Sequence, residues 1–384
     1  MIYRHTEEEI QYYFAAPALN QSGIKVILKD GIQKFADMED ELLSTERYYE
    51  EKEHFTIGNA VDHIITQGLE SFNSKYAYST LINKPPDTVM SIVRKVFDEE
   101  LQTNHLLSRP ISNNIKDYSE QLYRSCNEHS YYMNRKIPSD KLVKGKIDER
   151  TWKDDKRVEG FLGDGTVAKY WEELISSQGK QLLSESEKNK IVEVSYNILN
   201  HKHTKNLFVD GKDVDLIYQM PLFFEFNGVM CKVLPDLLRI NHGQKKIYDI
   251  DIKTMGDYVL RFNQSFRLRR YDIQGSFYQK GVKENLATIS KLIGKDISDY
   301  TFANPAFVVE STLKPGTPMI YVMTSDLIET GIVGDKNRSY IGGYFQGVEI
   351  YKRWKIIDYS IEERFKDTNG IVWVDGQFEY NEIF

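Results

Sequence analysis

The sequence predicts an α/β protein in which a central mixed β-sheet is flanked by helices and carries a helical insertion. Helical periodicity dominates residues 7–72, and short β-rich segments with turn signals between them fill Leu216–Thr254. A long amphipathic helix is predicted from about Tyr258 to Gly281, and the strands AFVVES and PMIYVM follow it. This order is typical of one α/β domain: helices come first, then a sheet crossed by one helix, and then further strands.

The composition limits what kind of protein this is. Hydrophobic residues make up 41% of the 384 positions, so a sizeable core can form. The formal net charge is −7, so nucleic-acid binding would need a local basic surface. Cys126 and Cys231 are too few for a disulfide framework or a four-cysteine zinc site, which fits a reducing compartment. Neither a signal peptide nor a membrane-length apolar run stands out, so we expect a cytoplasmic protein without a membrane partner.

The expected organisation is a single domain over residues 1–384, divided by sequence character into three parts. Residues 1–83 form the helical N-terminal part of the core. Residues 84–177, polar and charge-rich, are predicted to be a mostly helical insertion. Residues 178–384 contain the sheet and the C-terminal elements.

Helix and turn signals mark the elements. SGIKVILKDGIQKFADMEDELL has helical spacing, and Ser22 is its predicted N-cap. Ahead of the sheet, SESEKNKIVEVSYNILNH predicts another helix that either Ser184 or Ser186 could cap.

Two predicted strands carry the residues with the clearest chemistry. Within the β-rich segment VMCKVLPDLLRI, Asp236 is predicted to lie where the strand ends. The next strand, KKIYDIDIKT, contains Asp251 and Lys253. Alternation along a strand puts Asp251 and Lys253 on one face. Two carboxylates that converge on one point form a hard, oxygen-rich site suited to Mg²⁺ or Mn²⁺. A lysine beside them can orient or deprotonate a water, or neutralise a developing phosphate charge.

The competing interpretation is a surface hairpin with ordinary solvated charges, because an Asp-x-Lys triplet alone is common. The apolar neighbours Ile250 and Ile252 indicate a central strand instead, and Pro235-Asp236 lies a hairpin span earlier. Buried charges are expensive unless they are paired or bind a metal, so the catalytic interpretation is favoured.

These residues, in this order, resemble the PD-(D/E)XK nuclease superfamily. The matching positions are Pro235-Asp236, Asp251-Ile252-Lys253-Thr254, and Gln274 with Tyr278. The Q-x-x-x-Y helix is typical of the RecB-like branch, and the chain is similar to phage RecE-like exonucleases (exonuclease VIII) and, more distantly, to lambda exonuclease. Supporting segments, within a resemblance that covers about residues 11–72 and 178–350, are PALNQSGIKVILKDGIQKF, IGNAVDHII, GKQLLSESEKNKIVEVSYNILNHKHTKNLF and AFVVESTLKPGTPMIYVM.

The resemblance implies a restriction-endonuclease-like core and a set of functional residues. The catalytic residues it implies are Asp236, Asp251, Lys253, Gln274 and Tyr278. Its metal ligands would be Asp236, Asp251 and the backbone carbonyl of Ile252, and its cofactor Mg²⁺ or Mn²⁺.

Two departures from the family pattern lie around this set. Relatives place a metal-binding histidine four residues after a helix glycine; counted from Gly58 that position is Asp62, and His63 follows. One helical step rotates a side chain by about 100°, so we predict Asp62 as the additional ligand, with His63 as the alternative. Relatives often carry a glutamate where this chain has Gln219, which would weaken a second metal site, and whether Glu225 compensates is left open.

A basic helix is predicted beside the site. Arg267, Arg270, Gln274 and Tyr278 are spaced to share one helix face, and Arg261 adds charge nearby. The functional interpretation has Arg261, Arg267 and Arg270 holding DNA phosphates. The competing interpretation is a set of salt-bridged arginines on a solvated face and a core tyrosine.

Ser22 has two interpretations that are compatible. Related exonucleases have a serine near the 5′ end of DNA at this place, which implies DNA binding. The other role is the helix N-cap, and a helix N-terminus is itself an anion site.

The function expected from the residues and the resemblance together is a divalent-metal-dependent deoxyribonuclease. The resemblance alone implies a 5′→3′ double-strand exonuclease of phage-type recombination or repair, acting on DNA ends in a bacterial cytoplasm. It also implies a single-strand annealing protein as partner and a ring-forming homo-oligomer. The alternatives are an endonuclease, a single-strand-specific RecB-like nuclease, or a catalytically weak DNA-binding recombination scaffold.

Overall fold

The computed structural model describes residues 1–39, 53–81, 83–107, 110–128, 142–143, 146–147, 159–160, 162–335 and 342–357. The chain divides into two compact units: Met1–Tyr48 with Glu53–Gly68 and Lys190–Phe384, and Tyr49–Lys52 with Leu69–Asn189. The predicted insertion, residues 84–177, falls within the second unit, which extends further on both sides. Parts of that insertion, and everything after residue 357, lie outside the described residues.

The described residues form an alternation of helices and strands. The helices are α1 (Glu7–Ala15), α2 (Gln21–Asp30), α3 (Ile32–Asp37), α4 (Glu53–Gln67), α5 (Leu69–Lys75), α6 (Asp87–Leu107), α7 (Ser119–Glu128), α8 (Gly165–Ser176), α9 (Glu185–Asn200), α10 (Phe262–Leu268), α11 (Tyr271–Glu284), α12 (Leu286–Ile293), α13 (Ser325–Val333) and α14 (Tyr344–Ile357). The strands are β1 (Ile2–Arg4), β2 (Tyr76–Tyr78), β3 (Leu142–Val143), β4 (Lys146–Ile147), β5 (Gln181–Leu183), β6 (Val214–Tyr218), β7 (Leu222–Phe226), β8 (Val229–Val233), β9 (Leu237–Asn241), β10 (Lys246–Met255), β11 (Thr301–Phe302), β12 (Ala306–Ser311) and β13 (Met319–Val322).

The first unit is built on a mixed sheet whose described strands number seven. Their order is β1-β6-β9-β10-β12-β13, and β11 also pairs with β10. β9 lies antiparallel to both β6 and β10, whereas β12 lies parallel to β10. The long strand β10 is therefore central; five of its ten residues are buried and the other five are half-buried. The predicted fold class, a central mixed sheet flanked by helices, is confirmed.

Helices approach β10 closely from both faces. Gln274 of α11 reaches Asp251, and alternation turns Thr254 toward the opposite face. On that face, a Cβ added to Gly58 of α4 would lie 2.9 Å from the Thr254 hydroxyl oxygen. α11 also packs on the β7–β8 hairpin, since a Cβ on Gly281 would lie 2.4 Å from a Val233 methyl. Such close approaches fix the helices against the sheet with little room for adjustment.

Two predicted helices start or end differently. Ser22 is not an N-cap: α2 begins one residue earlier, and the Asn20 side chain accepts the Gly23 N–H at 2.9 Å. Asparagine is at least as good a cap as serine, so the signal lay two residues upstream of the prediction. The helix also stops at Gly31, whose φ of 88° is outside the helical region. The alternative of Ser184 as the cap of α9 is confirmed, because its hydroxyl accepts the Glu187 N–H.

Two predicted continuous elements are broken in the structure. VMCKVLPDLLRI is not one strand but β8 and β9, which belong to different sheets. Pro235 between them lacks an N–H and cannot continue a strand ladder. The single helix predicted from Tyr258 to Gly281 is also wrong, since Arg270 has a left-handed conformation (φ 50°) that separates α10 from α11.

The second unit has its own apolar core. Helices α6, α7 and α8 pack around Trp171, whose indole N–H donates to the Ser112 carbonyl at 2.9 Å. Phe97 meets the same indole edge-on. The parallel pair β2 and β5 belongs to this unit as well. Within the described residues of either unit, no helix is long and apolar enough to cross a bilayer.

Lys232 links strand β8 to the C-terminal end of α1 within the first unit, and this link should contribute to stability. It is 1% exposed, and its ammonium donates to the carbonyls of Tyr13, Phe14 and Ala16 at 2.7–2.9 Å. These carbonyls belong to the C-terminal end of α1, which a cation stabilises. Lys232→Met should lower the free energy of unfolding by roughly 2–4 kcal/mol, because buried acceptors lose their donors.

Urea denaturation of the variant and wild type measures this difference. Lys212→Met, at an exposed position, is the control and should leave the free energy of unfolding unchanged. An equal stability of the Lys232 variant would contradict the structural role.

Candidate active site

The chain brings Asp236, Asp251 and Lys253 together at the junction of β9 and β10. Asp236 immediately precedes β9, and its Oδ2 accepts the Ile252 N–H at 2.7 Å. Asp251 is 5% exposed, and its Oδ2 lies 2.6 Å from the Lys253 ammonium. Antiparallel pairing of Leu237 with Ile250 sets this register. Asp236 therefore meets β10 from the connection before β9 rather than from the end of a strand, as the sequence had suggested.

Helix α11 supplies Gln274 and Tyr278. The Gln274 amide donates to Asp251 Oδ1 at 2.5 Å, so it fixes the orientation of that carboxylate. Tyr278 is 9% exposed and belongs to the apolar core. Burial, followed by the nearby Tyr13 and Asp251, raises the pKa of Tyr278 well above its usual value. Gln274 thus contacts the Asp251 carboxylate directly, whereas Tyr278 packs in the apolar core.

A chain of amides connects Asp62 to the same corner. Gln219 donates to Asp62 Oδ2 at 2.8 Å, and Gln67 donates to the Gln219 side-chain oxygen at 2.6 Å. The backbone of Gln219, with φ of 46°, donates its N–H to the Asp236 carbonyl. Gln219 therefore fixes the Asp62 carboxylate by a hydrogen bond and contributes no carboxylate of its own. Glu225 is exposed near the tip of the β7–β8 hairpin.

The carboxylates repel one another in this arrangement. Burial first, then Asp251 and Asp62, raises the pKa of Asp236 well above its usual value. Burial alone would lower the pKa of Lys253, but Asp251 and Asp236 outweigh it and raise that pKa. Lys253 is thus a firm cation, and the acids around it carry more negative charge than one lysine neutralises.

A divalent cation fits the donor set of this corner. Asp62, Asp236 and Asp251 are hard oxygen donors. Burial and the other two acids disfavour ionisation of Asp236, and a cation would relieve that cost. As the side chains stand, no three His, Cys, Asp or Glu groups among the described residues are close enough to enclose an ion. Asp62 and Asp251 would have to turn from Gln219 and Lys253. The ligand role of the Ile252 carbonyl stays a prediction.

The predicted DNA-binding arginines do not share one helix face. Arg270 donates to both oxygens of Asp272 and to the Gly342 carbonyl, so its guanidinium is occupied within the fold. Arg261 pairs with Asp257 at 3.1 Å on the surface. Arg267, on α10, is exposed. The break at Arg270 separates these positions from Gln274 and Tyr278.

Ser22 lies in the first turn of α2, one helical turn before Lys25. Its hydroxyl accepts a hydrogen bond from the Gln21 amide at 3.0 Å. The DNA contact predicted for Ser22 stays a prediction.

Two groups beside the carboxylates escaped the sequence prediction. Asp249 is 4% exposed, and burial followed by Asp251 raises its pKa well above the usual value. Strand alternation, which places Asp249 on the face of Asp251 and Lys253, was a usable signal. Lys25 of α2 also reaches this corner, next to the Tyr271 ring. Only the tertiary packing of α2 brings Lys25 to this corner, so no local sequence pattern could have predicted its position.

Comparison with known proteins adds little to this geometry. No protein-family model and no curated protein matches the sequence. Among solved structures, the chain is similar to a crystal structure from Eubacterium rectale named "Putative exonuclease", with a TM-score of 0.36 and 12% identity. The match covers 85% of this chain and 80% of that chain. A likeness this distant carries no functional weight, so the chemistry has to follow from the site itself.

The raised pKa of Asp236 predicts a trade-off between stability and activity. A carboxyl whose folded pKa exceeds its unfolded pKa, about 3.9, destabilises the fold progressively as pH rises from the unfolded to the folded value, and by a constant amount above it. In EDTA at neutral pH, Asp236→Asn should therefore melt a few degrees above wild type, and the difference should shrink toward pH 4.

Thermal melts across pH measure this difference. Asp257→Asn is the control: hydrogen bonds from the Tyr258 N–H and the Arg261 side chain lower the pKa of that surface acid, so its replacement should not raise the melting temperature. Added Mn²⁺ should raise the melting temperature of wild type and not that of Asp236→Asn. A lower melting temperature of the variant at every pH would contradict the electrostatic account.

Proposed function

We propose that this protein is a divalent-metal-dependent deoxyribonuclease. One observation carries the proposal: Asp236, Asp251 and Lys253 converge at a partly buried strand junction, and Gln274 orients the central carboxylate. Two acids and a lysine at one point are suited to hydrolysing a phosphodiester.

The chain's own residues divide the work. Asp236 and Asp251, with Asp62, would hold the cation, and Gln274 anchors one oxygen of Asp251 from α11. The chemistry that a bound Mg²⁺ or Mn²⁺ supplies is polarisation of the phosphate and acidification of a water. Because its pKa is raised, Lys253 is suited to orient the water and neutralise phosphate charge rather than to accept a proton.

More specifically, the proposed activity is that of a 5′→3′ exonuclease on double-stranded DNA, in phage-type recombination or repair. It is supported by the resemblance of the N-terminal segment and the catalytic motif to RecE-like exonucleases. An annealing protein as partner and a ring-shaped homo-oligomer rest on that resemblance alone. Arg267 and Arg261 are exposed beside the catalytic strand and suit sequence-independent phosphate contacts, which makes binding salt-dependent.

The first test is hydrolysis itself. Wild type with Mg²⁺ should degrade a 5′-labelled linear duplex, and Lys253→Ala should slow this at least about 100-fold, since a charge-stabilising group is lost. Lys246→Ala, at the other end of β10, is the matched control and should retain full activity. A wild-type rate for Lys253→Ala would overturn the mechanism.

The substrate form separates the nuclease classes. An exonuclease leaves a covalently closed circle intact, whereas an endonuclease linearises it. Early release of the 5′ label, before a 3′ label, establishes polarity. If the wild type cuts no DNA and binds no Mn²⁺ by calorimetry, the chain is a DNA-binding scaffold instead.

A second prediction concerns the helix ligand. Asp62 influences Asp236 electrostatically, so Asp62→Asn should weaken Mn²⁺ binding by roughly 10-fold or more, the usual effect of disturbing a metal site's ligands. His63→Asn, one position along α4, should bind Mn²⁺ as wild type does. Calorimetry on both variants measures this, and the reverse pattern would assign the ligand to His63.

A further inference from the structure

A second lysine, Lys25, stands beside the proposed catalytic lysine. It extends from α2, is partly buried, and places its ammonium 5.3 Å from the centroid of the Tyr271 ring. The ammonium of Lys253 lies 5.3 Å from the centroid of the same ring. Two cations therefore share one aromatic ring next to Asp251.

The Tyr271 ring is a rigid platform for these cations. It stacks on Phe262 at 5.7 Å with an interplanar angle of 20°, and on Phe307 at 5.6 Å and 29°. Its chain neighbours Arg270 and Asp272 form a bidentate ion pair that fixes the start of α11. The two lysines are consequently held in place relative to the strand that carries Asp251.

The charges in this cluster do not balance locally. Lys253 pairs with Asp251, and Arg270 pairs with Asp272. Among the described residues Lys25 forms neither an ion pair nor a hydrogen bond; its ammonium contacts the Tyr271 ring, and Asp251 and Asp272 attract it from further away. Burial, followed by the positive charge of Lys253, lowers the pKa of Lys25 to about 7. A methionine could fill the same space without this cost, so packing alone does not account for a lysine.

We propose that Lys25 is a further catalytic residue whose ammonium contacts the non-bridging oxygens of the scissile phosphodiester. This inference rests on the proposed nuclease function and deepens it. In the transition state the attacking water and the leaving oxygen lie in line with phosphorus, the new bond forms as the bond to the leaving oxygen breaks, and negative charge is spread over the equatorial oxygens. Lys25 donates hydrogen bonds to that charge, while Lys253 serves the water and the same phosphate from β10. No proton transfer to or from Lys25 is required.

The test compares Lys25→Met with Lys29→Met, an exposed lysine one turn along α2. Single-turnover cleavage of a linear duplex with Mg²⁺ should slow about 100-fold in Lys25→Met and not in Lys29→Met. Duplex affinity, measured with Ca²⁺ in place of Mg²⁺, should change less than about threefold, because the contact strengthens only in the transition state. Lys25→Arg should recover part of the rate.

Melting temperature guards against a folding defect. Lys25→Met should melt at or above the wild-type temperature, since it removes a buried unpaired charge. A lower melting temperature with slow cleavage that Lys25→Arg does not restore would overturn the proposal in favour of a structural role.

Modified substrates identify the phosphate. On a duplex with a 5′-hydroxyl end, and on one with a methylphosphonate at the linkage next to the scissile one, the slowing by Lys25→Met should persist. If the slowing disappears on the 5′-hydroxyl duplex, Lys25 contacts the terminal phosphate; if it disappears on the methylphosphonate duplex, Lys25 contacts the neighbouring linkage. Either result would overturn the proposal. If Lys253→Ala is inactive while Lys25→Met cleaves at the wild-type rate, this inference fails and the nuclease function stands; an inactive wild type refutes both.

Discussion

The contact between Asp251 and Lys253 is the interaction on which the rest of the site depends. Both residues lie on one face of β10, and their charged atoms are 2.6 Å apart in a mostly buried setting. A buried pair of this kind is stable only when its remaining polar atoms are also satisfied. Gln274 satisfies the other oxygen of Asp251 from α11. The helix is thereby tied to the strand at the point where the chemistry is proposed.

Neighbouring elements add charge to this pair at a cost to the fold. Asp236 enters from the connection before β9, and Asp62 is held toward it by the Gln219 amide. Burial, and then the charges of Asp251 and Asp62, make ionisation of Asp236 harder, which is visible in its raised pKa. A fold selected only for stability would hold an apolar group or an amide there. Accumulated like charge at a structurally fixed corner is characteristic of functional sites.

Much of this corner could be predicted from sequence because its logic is local. Strand alternation placed Asp251 beside Lys253, and a hairpin span brought Asp236 to them. The partner of Asp251 on α11 was reached through motif resemblance rather than physics. The break between α10 and α11 depends on backbone detail: Arg270, predicted to share a helix face with Gln274, adopts a left-handed conformation that no pattern requires of arginine. Lys25 is close to Tyr271 only because α2 packs where it does, and tertiary placement leaves no signature in a helical period.

The two unbalanced groups of charge are complementary once a substrate is considered. Burial and the neighbouring acids Asp251 and Asp62 disfavour the ionised form of Asp236, and burial and the neighbouring Lys253 disfavour the charged form of Lys25. A divalent cation alone would relieve the acids and add to the repulsion felt by Lys25. A phosphate alone would relieve the lysines and repel the acids. Bound together, cation and phosphodiester neutralise both groups at once, so each ligand should favour binding of the other. Mn²⁺ alone should therefore bind and relieve the acids, but more weakly than in the presence of DNA, and only the complex with both ligands has all of these charges neutralised.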